Sequence, residues 1–362
     1  MPTTVSYTFP GQLQPSVIVS DGDAVLPIVV FLHGTGGNVN DMSNPVQNWP
    51  LNYDHVSPLP PDRDEGWSLY PGVGVWSFNL DDQVPVTSWN DALQSQQFRT
   101  VSYSQVQPTG LLQQPVEEFR AIFEALSATF PDDQFVLLAH SRGGLLARQF
   151  LKDNEKAAGR ISFLITLHSP HEGSNLANVA NDVDGAITSL SSIFGSIVNT
   201  ALGWLESMVN LPAYQELATG SAFLRQLQAG ERPLPGLQYF SFGGTSVELT
   251  RILSWVYTLD SAIPQWHWPP FHHVITVIEV PGISPVLNSL PPITPEITEG
   301  QGDILTANAN CHFPFGGTVH QSNAIDHAEA LWNTDLQVQV LQILGINVSG
   351  GTITGNGNGF WM

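Results

Sequence analysis

Cysteine occurs once in this chain, at Cys311, which leaves no partner for an internal disulfide and excludes zinc sites built from several cysteines. Lysine occurs only at Lys152 and Lys156. The 11 basic residues stand against 32 acidic ones, a formal net charge of −21. A surface of that sign repels phosphate, so nucleic acid and anionic lipid headgroups are set aside as partners. The charge itself reads as a source of solubility. No apolar, charge-free run reaches the roughly 18 residues that a membrane-crossing helix needs. The start, Met1-Pro2-Thr3-Thr4-Val5, lacks a basic stretch followed by an apolar one, so no signal peptide is expected within the chain. A cytoplasmic or a secreted (mature) location both remain open.

What is present is a globular composition. The chain has 362 residues, 42% hydrophobic and 10% aromatic, enough to bury a large core. Tyr7 to Phe9 and Ser16 to Val19 suggest an edge strand and a second short strand. Leu26 to Leu32 is a continuous apolar run of the kind buried on both faces of a sheet. Ser88 to Leu93 is expected to be an N-capped helix, Phe98 to Tyr103 a strand, and Pro115 to Leu126 a helix with proline in its first turn. Further strands are expected at Val136 to Ala139, Ile161 to Leu167 and Leu237 to Phe242. Strands alternating with helices at this spacing imply a mostly parallel, doubly wound α/β sheet, in which ligands bind beyond the carboxyl ends of the strands.

One stretch organises the rest. Val136-Leu137-Leu138-Ala139 runs into His140-Ser141-Arg142-Gly143-Gly144, and a helical pattern of Leu145, Leu146, Ala147, Phe150 and Leu151 begins at once. This is the layout of a nucleophile elbow, a serine on a sharp strand-to-helix turn. Ala139 and Gly143 are small enough for strand and helix to approach each other. The helix N-terminus offers amides to a developing oxyanion.

Three further stretches are arranged around it: Phe31-Leu32-His33-Gly34-Thr35-Gly36-Gly37, Leu167-His168-Ser169-Pro170-His171-Glu172-Gly173-Ser174 and Ile325-Asp326-His327-Ala328-Glu329-Ala330-Leu331. With these four stretches the chain resembles the α/β-hydrolase superfamily, and within it the bacterial lipases and lipase-like esterases. The resemblance implies an α/β-hydrolase fold with a helical cap or lid insertion. It implies Ser141 as nucleophile, the Thr35 and Arg142 amides as oxyanion donors, and His171 as a structural histidine of its loop. It implies His327 as the base, with His320 and His312 as competitors. Gly302-Asp303-Ile304-Leu305 resembles the family's Gly-Asp-Gly-Leu-Val loop, with Ile304 in place of the second glycine. That makes Asp303 the acid, with Asp260, Glu296 and Glu299 as alternatives.

The core is assigned to 1–175 and 236–362 and the cap to 176–235. Within the cap, 186–211 is apolar with hardly any charge, which suits either a face that opens toward lipid or a helix buried permanently on the body. Residues 41–86 and 246–296 are aromatic-rich insertions. His267, His272 and His273 sit close together in the second but lack carboxylates at ligand spacing, so an aromatic wall is preferred to a metal site. No metal or cofactor is required. The expected function is a serine carboxylic-ester hydrolase of the lipase or esterase type, acting on neutral apolar acyl esters, with transient contact to a lipid interface. The rivals are polyester depolymerase, glycolipid or phospholipid deacylase, acyltransferase, and a catalytically dead hydrolase-like binding protein.

Overall fold

The computed structural model describes residues 1–9, 16–45, 68–70, 73–75, 87–175, 212–247, 256–258, 276–278 and 294–347. Eight strands form the main sheet: β1 (Thr3–Ser6), β2 (Ser16–Val19), β3 (Ile28–Leu32), β6 (Thr100–Ser102), β7 (Phe135–His140), β8 (Ile161–Leu167), β9 (Gln238–Gly244) and β12 (Val319–Asn323), in the order β1-β2-β6-β3-β7-β8-β9-β12. The strands from β6 to β12 pair in parallel, whereas β2 is antiparallel to both β1 and β6. Both central strands, β3 and β7, are buried at every position, as their unbroken apolar runs require.

The strand foreseen at Tyr7 to Phe9 begins earlier, at Thr3. Tyr7 instead gives its hydroxyl to the buried Glu118 at 3.0 Å. Helix α1 (Asn40–Ser43) is short. In α2 (Trp89–Ser95) the Ser88 hydroxyl accepts from the amide of Asp91, which satisfies an N-terminal donor. Helix α3 (Gln113–Thr129) lays Val116, Phe119, Ile122, Phe123 and Leu126 into the core, one face at helical spacing. Helix α4 (Gly143–Asp153) follows β7 directly. Gly143 permits this: a Cβ there would lie 2.2 Å from the carbonyl oxygen of Leu32, at the end of β3.

The chain after His327 is helical in two separate pieces. A single turn at Glu329–Leu331 comes first, and the helix proper is Thr334–Ile343. The cause is local capping. Asp326 accepts from the amides of Ala328 and Glu329 while Glu329 accepts from the amide of Asp326, which closes one turn. Asn333 then caps a second start through Leu336. This end of the chain is tied to α2: the Trp89 indole donates to Ala330 O at 2.8 Å, and the Gln337 amide to Thr87 O at 2.7 Å.

The two aromatic-rich insertions contribute strands to each other. β4 (Ser68–Tyr70), β5 (Val73–Val75), β10 (Val256–Thr258) and β11 (Thr276–Ile278) form a four-stranded antiparallel sheet, ordered β11-β10-β5-β4. The apolar stretch 186–211, Asp260, and His267, His272 and His273 lie outside the described residues. The described part of 176–235 holds the helices Pro212–Glu216 and Ala222–Gln228.

Candidate active site

Ser141 lies just beyond the last residue of β7 with φ 53°, in the left-handed region that a non-glycine residue enters only when its surroundings hold it there. Its amide donates to Leu167 O at the end of β8, 2.8 Å away. Its half-buried side chain faces Gly34: a Cβ on Gly34 would come within 2.8 Å of Ser141 Cβ and 3.3 Å of its Oγ. The loop after β3 therefore needs a residue without a side chain to pass the serine.

Thr35 follows, and the turn closes around it. Gly37 donates to Gly34 O and Gly36, at φ 72°, to Pro108 O. Among the described residues, the amides of Thr35 and Arg142 have no acceptor, and the buried Thr35 Oγ1 is also without a partner. The Arg142 side chain turns away from the serine and is buried. Its guanidinium donates to Pro108 O at 3.2 Å and Gly110 O at 2.5 Å, and lies 3.4 Å from Glu216 Oε2. Burial lowers the Arg142 pKa to about 10 against the opposing pull of Glu216. Pro108 O thus receives one bond from the Thr35 turn and one from Arg142, so a single carbonyl ties together the carriers of both unengaged amides.

His33 holds the base of that turn. Its Nδ1 donates to Gly34 O at 3.1 Å and its Nε2 accepts from the amide of Gln105 at 3.0 Å, an assignment that requires a neutral ring. Burial agrees, lowering its pKa to about 4.

Asp303 and His327 meet from separate loops. His327 Nδ1 lies 2.9 Å from Asp303 Oδ2, and the His327 amide donates to Asp303 O at 3.0 Å. Asp303 Oδ1 accepts from the amides of Leu305 and Thr306 at 3.1 and 2.6 Å. The carboxyl is completely buried, which alone would raise its pKa. The His327 and His168 rings and the hydrogen bonds override burial and hold it well below the usual carboxylate range. Among the described residues His327 Nε2 has no partner. The His327 ring packs 4.9 Å from the ring of His140, the neighbour of Ser141.

Ile304, beside Asp303, has φ 89°. It adopts the backbone of the glycine it replaces in the motif, a costly conformation for a β-branched residue. Of the four non-glycine residues at positive φ among those described, three (Ser141, His168 and Ile304) gather here.

The remaining candidates lie elsewhere. His320 is on β12, held by Ser241 Oγ and Asn308 Oδ1, with the His312 ring tilted against it, centroids 3.7 Å apart. Glu299 accepts from the amide of Val247, and Glu296 from Asn175. His171 is buried between Thr166 Oγ1, Arg148 and the face of Phe313. His168 and His140 are two further residues at the site that sequence patterns do not single out, because neither occupies a motif position with a distinctive chemical demand.

His168, Asp303 and His327 also bring ligand-type atoms within 4.8 Å of one another. The distances from Asp303 Oδ2 to the two Nδ1 atoms, 2.8 and 2.9 Å, are those of N–H···O contacts. Two ligands at about 2.0 Å from a tetrahedral metal would stand roughly 3.3 Å apart.

The family described as the PGAP1-like alpha/beta domain matches residues 104–205, which include the elbow. Lipase BlEst2 of Bacillus licheniformis, in its mature form, superposes with a TM-score of 0.51 at 16% identity, over 90% of this chain and 94% of that one. Its propeptide form gives 0.51 at 15% identity, over 92% and 53%. The Exiguobacterium antarcticum esterase gives 0.44 at 11%, over 96% and 100%. No curated protein matches the sequence. The fold is that of the α/β-hydrolases. In this fold, the loops after β3, β7, β8 and β12 all leave carboxyl ends of parallel strands, where such sheets place their ligands.

Proposed function

We propose that the chain is a serine carboxylic-ester hydrolase, with Ser141 as nucleophile, His327 as base and Asp303 as the acid that orients it. The carrying observation is the buried Asp303–His327 contact, with His327 Nε2 left unengaged and its ring against the neighbour of a strained Ser141. With Nδ1 giving its proton to Asp303, Nε2 carries a lone pair and suits a base. His327 removes the Ser141 proton as Oγ attacks the ester carbonyl. The amides of Thr35 and Arg142 receive the tetrahedral oxyanion. The oxyanion collapses and the alcohol leaves with the proton from His327. Water, deprotonated by His327, then adds to the acyl-enzyme and releases the acid. A strongly acidic chain favours neutral acyl esters over anionic ones.

The test is hydrolysis of p-nitrophenyl esters from acetate to palmitate, with wild type beside Ser141→Ala, and labelling by a fluorophosphonate. The reading expects labelling of Ser141 and a loss of turnover in the variant on the order of 10⁴-fold or more. A folded wild type that neither reacts with the probe nor cleaves any ester would leave the binding-protein alternative. A panel of phospholipids, glycolipids and polyesters separates the rival acyl chemistries.

A further inference from the structure

His168 belongs to no step above, yet it is built into the site. It follows the last residue of β8 at φ 52°, its ring is completely buried, and it shares an oxygen with the proposed base: His168 Nδ1 lies 2.8 Å from Asp303 Oδ2, the atom that His327 Nδ1 reaches at 2.9 Å. The two imidazoles meet edge to face, centroids 5.9 Å apart. The slot for the ring exists because residue 244 is glycine. A Cβ there would come within 2.4 Å of His168 Cε1 and 2.7 Å of Asp303 Cβ.

The chemistry of the contact fixes the proton. A nitrogen lone pair 2.8 Å from a buried carboxylate oxygen would be repulsive, so Nδ1 carries the hydrogen and Nε2 is bare. The N–H is bent away from the line to Oδ2, which makes this a close, charge-assisted contact and not a well-aligned hydrogen bond. Burial, ahead of the opposing pull of Asp303, lowers the His168 pKa and keeps the ring neutral. Asp303 then has two amides on Oδ1 and, on Oδ2, the hydrogen bond of His327 and the close polar contact of His168.

We propose that His168 is a positioning residue for the catalytic acid: by holding its Nδ1–H edge against Asp303 Oδ2 it keeps the carboxylate in place and limits its basicity toward His327. This rests on the ester-hydrolase reading of the same site. The groups facing His327 are Asp303, His168 and His140, with Asp326 and Glu329 on its own loop. Those facing Asp303 also include Tyr214 and Cys311, both of which Glu296 faces in turn. Removing the His168 contact makes Asp303 more basic and strengthens its hold on protonated His327. The acid limb of the rate profile then moves to higher pH.

The experiment compares H168L, which fills the slot without a donor, with H168N, whose Nδ2 replaces Nδ1 and whose residue type tolerates positive φ. Turnover is expressed per serine titrated with fluorophosphonate, which removes any misfolded fraction. H168L should lower kcat about tenfold with KM little changed, and shift the acid limb of kcat/KM up by about half a pH unit. H168N should bring both values back toward wild type. Ring nitrogen NMR of wild type, which needs no activity, should show His168 protonated on Nδ1 and bare on Nε2. Equal kcat and pH limb in H168L and wild type, or identical behaviour of H168L and H168N, would overturn the proposal, as would an unprotonated Nδ1. A wild type with the expected tautomer but no reactive serine would instead sink the ester-hydrolase reading, and the positioning role with it.

Discussion

His140 Nε2 lies 2.9 Å from the carbonyl oxygen of His327, joining the residue before Ser141 to the residue proposed as its base. A carbonyl can only accept, so Nε2 is the protonated nitrogen and the buried Nδ1 is bare; burial, with His327 next, keeps this ring neutral. The bond joins the end of β7 to the loop after β12, two segments that approach each other only in the folded sheet, and so ties the neighbour of Ser141 to the proposed base. His140→Leu leaves that carbonyl unsatisfied and should cost about 1–3 kcal/mol. His140→Gln, whose Nε2 reaches the same place, should recover most of it. Denaturant midpoints of the two variants, with turnover per titrated serine, provide the check. Equal stability of both would show that the bond contributes nothing.

Arg142 separates backbone from side chain in the same way. Its amide is the proposed oxyanion donor, whereas its guanidinium clamps Pro108, Gly110 and Glu216. Arg142→Met keeps the amide but leaves the Gly110 carbonyl unpaired, takes one of two donors from Pro108 O, and removes the cation beside the half-buried Glu216 carboxylate, which keeps only the Leu112 amide. The expected loss is about 3 kcal/mol of stability, with a smaller fall in turnover at temperatures where the variant stays folded. Unfolding curves and kcat measured together test this. A variant as stable as wild type but catalytically dead would assign the guanidinium a direct role in the reaction.

The alternation of strands and helices, the elbow and the close approach at Gly143 follow from patterns within the chain. Continuous apolar runs demand burial on both faces, and small residues at the turn after such a run let strand and helix approach closely. The loop residues around Asp303 are harder to read. Ile304 breaks the glycine motif, and only its φ shows that the backbone keeps the glycine conformation. His168 has no signal of its own, since its importance comes from Gly244, 76 positions later, leaving a slot for the ring. The strand pairing between the insertions was equally hidden, because short strands separated by nearly two hundred residues show no local periodicity. The late start of the last helix depends on Asn333 outcompeting Asp326, which propensity alone does not rank.

Gly143 gives the most direct test of the elbow. A methyl group at this position would sit 2.2 Å from a backbone carbonyl that belongs to the central strand and cannot move aside. Gly143→Ala should therefore cost about 3 kcal/mol. Gly159→Ala, where nothing lies within 4 Å of the added carbon, should stay within about 0.5 kcal/mol. Thermal unfolding of the pair decides it. Equal melting temperatures would mean that strand and helix can separate without loss.

Acid should unfold this protein earlier than its many carboxylates alone suggest, because His33 is neutral and buried. Its folded pKa of about 4 lies below the value of about 6.5 in an unfolded chain. The unfolded state therefore binds a proton that the folded state refuses. Stability from this group is complete above about pH 6.5 and is lost as pH falls toward 4, by about 1.4 kcal/mol per pH unit in between. His140, His168 and His171, also lowered chiefly by burial, add to the loss. The raised carboxyls of Glu118, Glu216 and Asp326 act in the opposite sense, releasing protons on unfolding. A single substitution isolates the term: His33→Asn should be less stable than wild type at pH 8, and the gap should narrow as pH falls from 6.5 to 4.5. Denaturant titrations across that range, analysed for both proteins, would show convergence. Parallel curves would mean that His33 is protonated in the folded state.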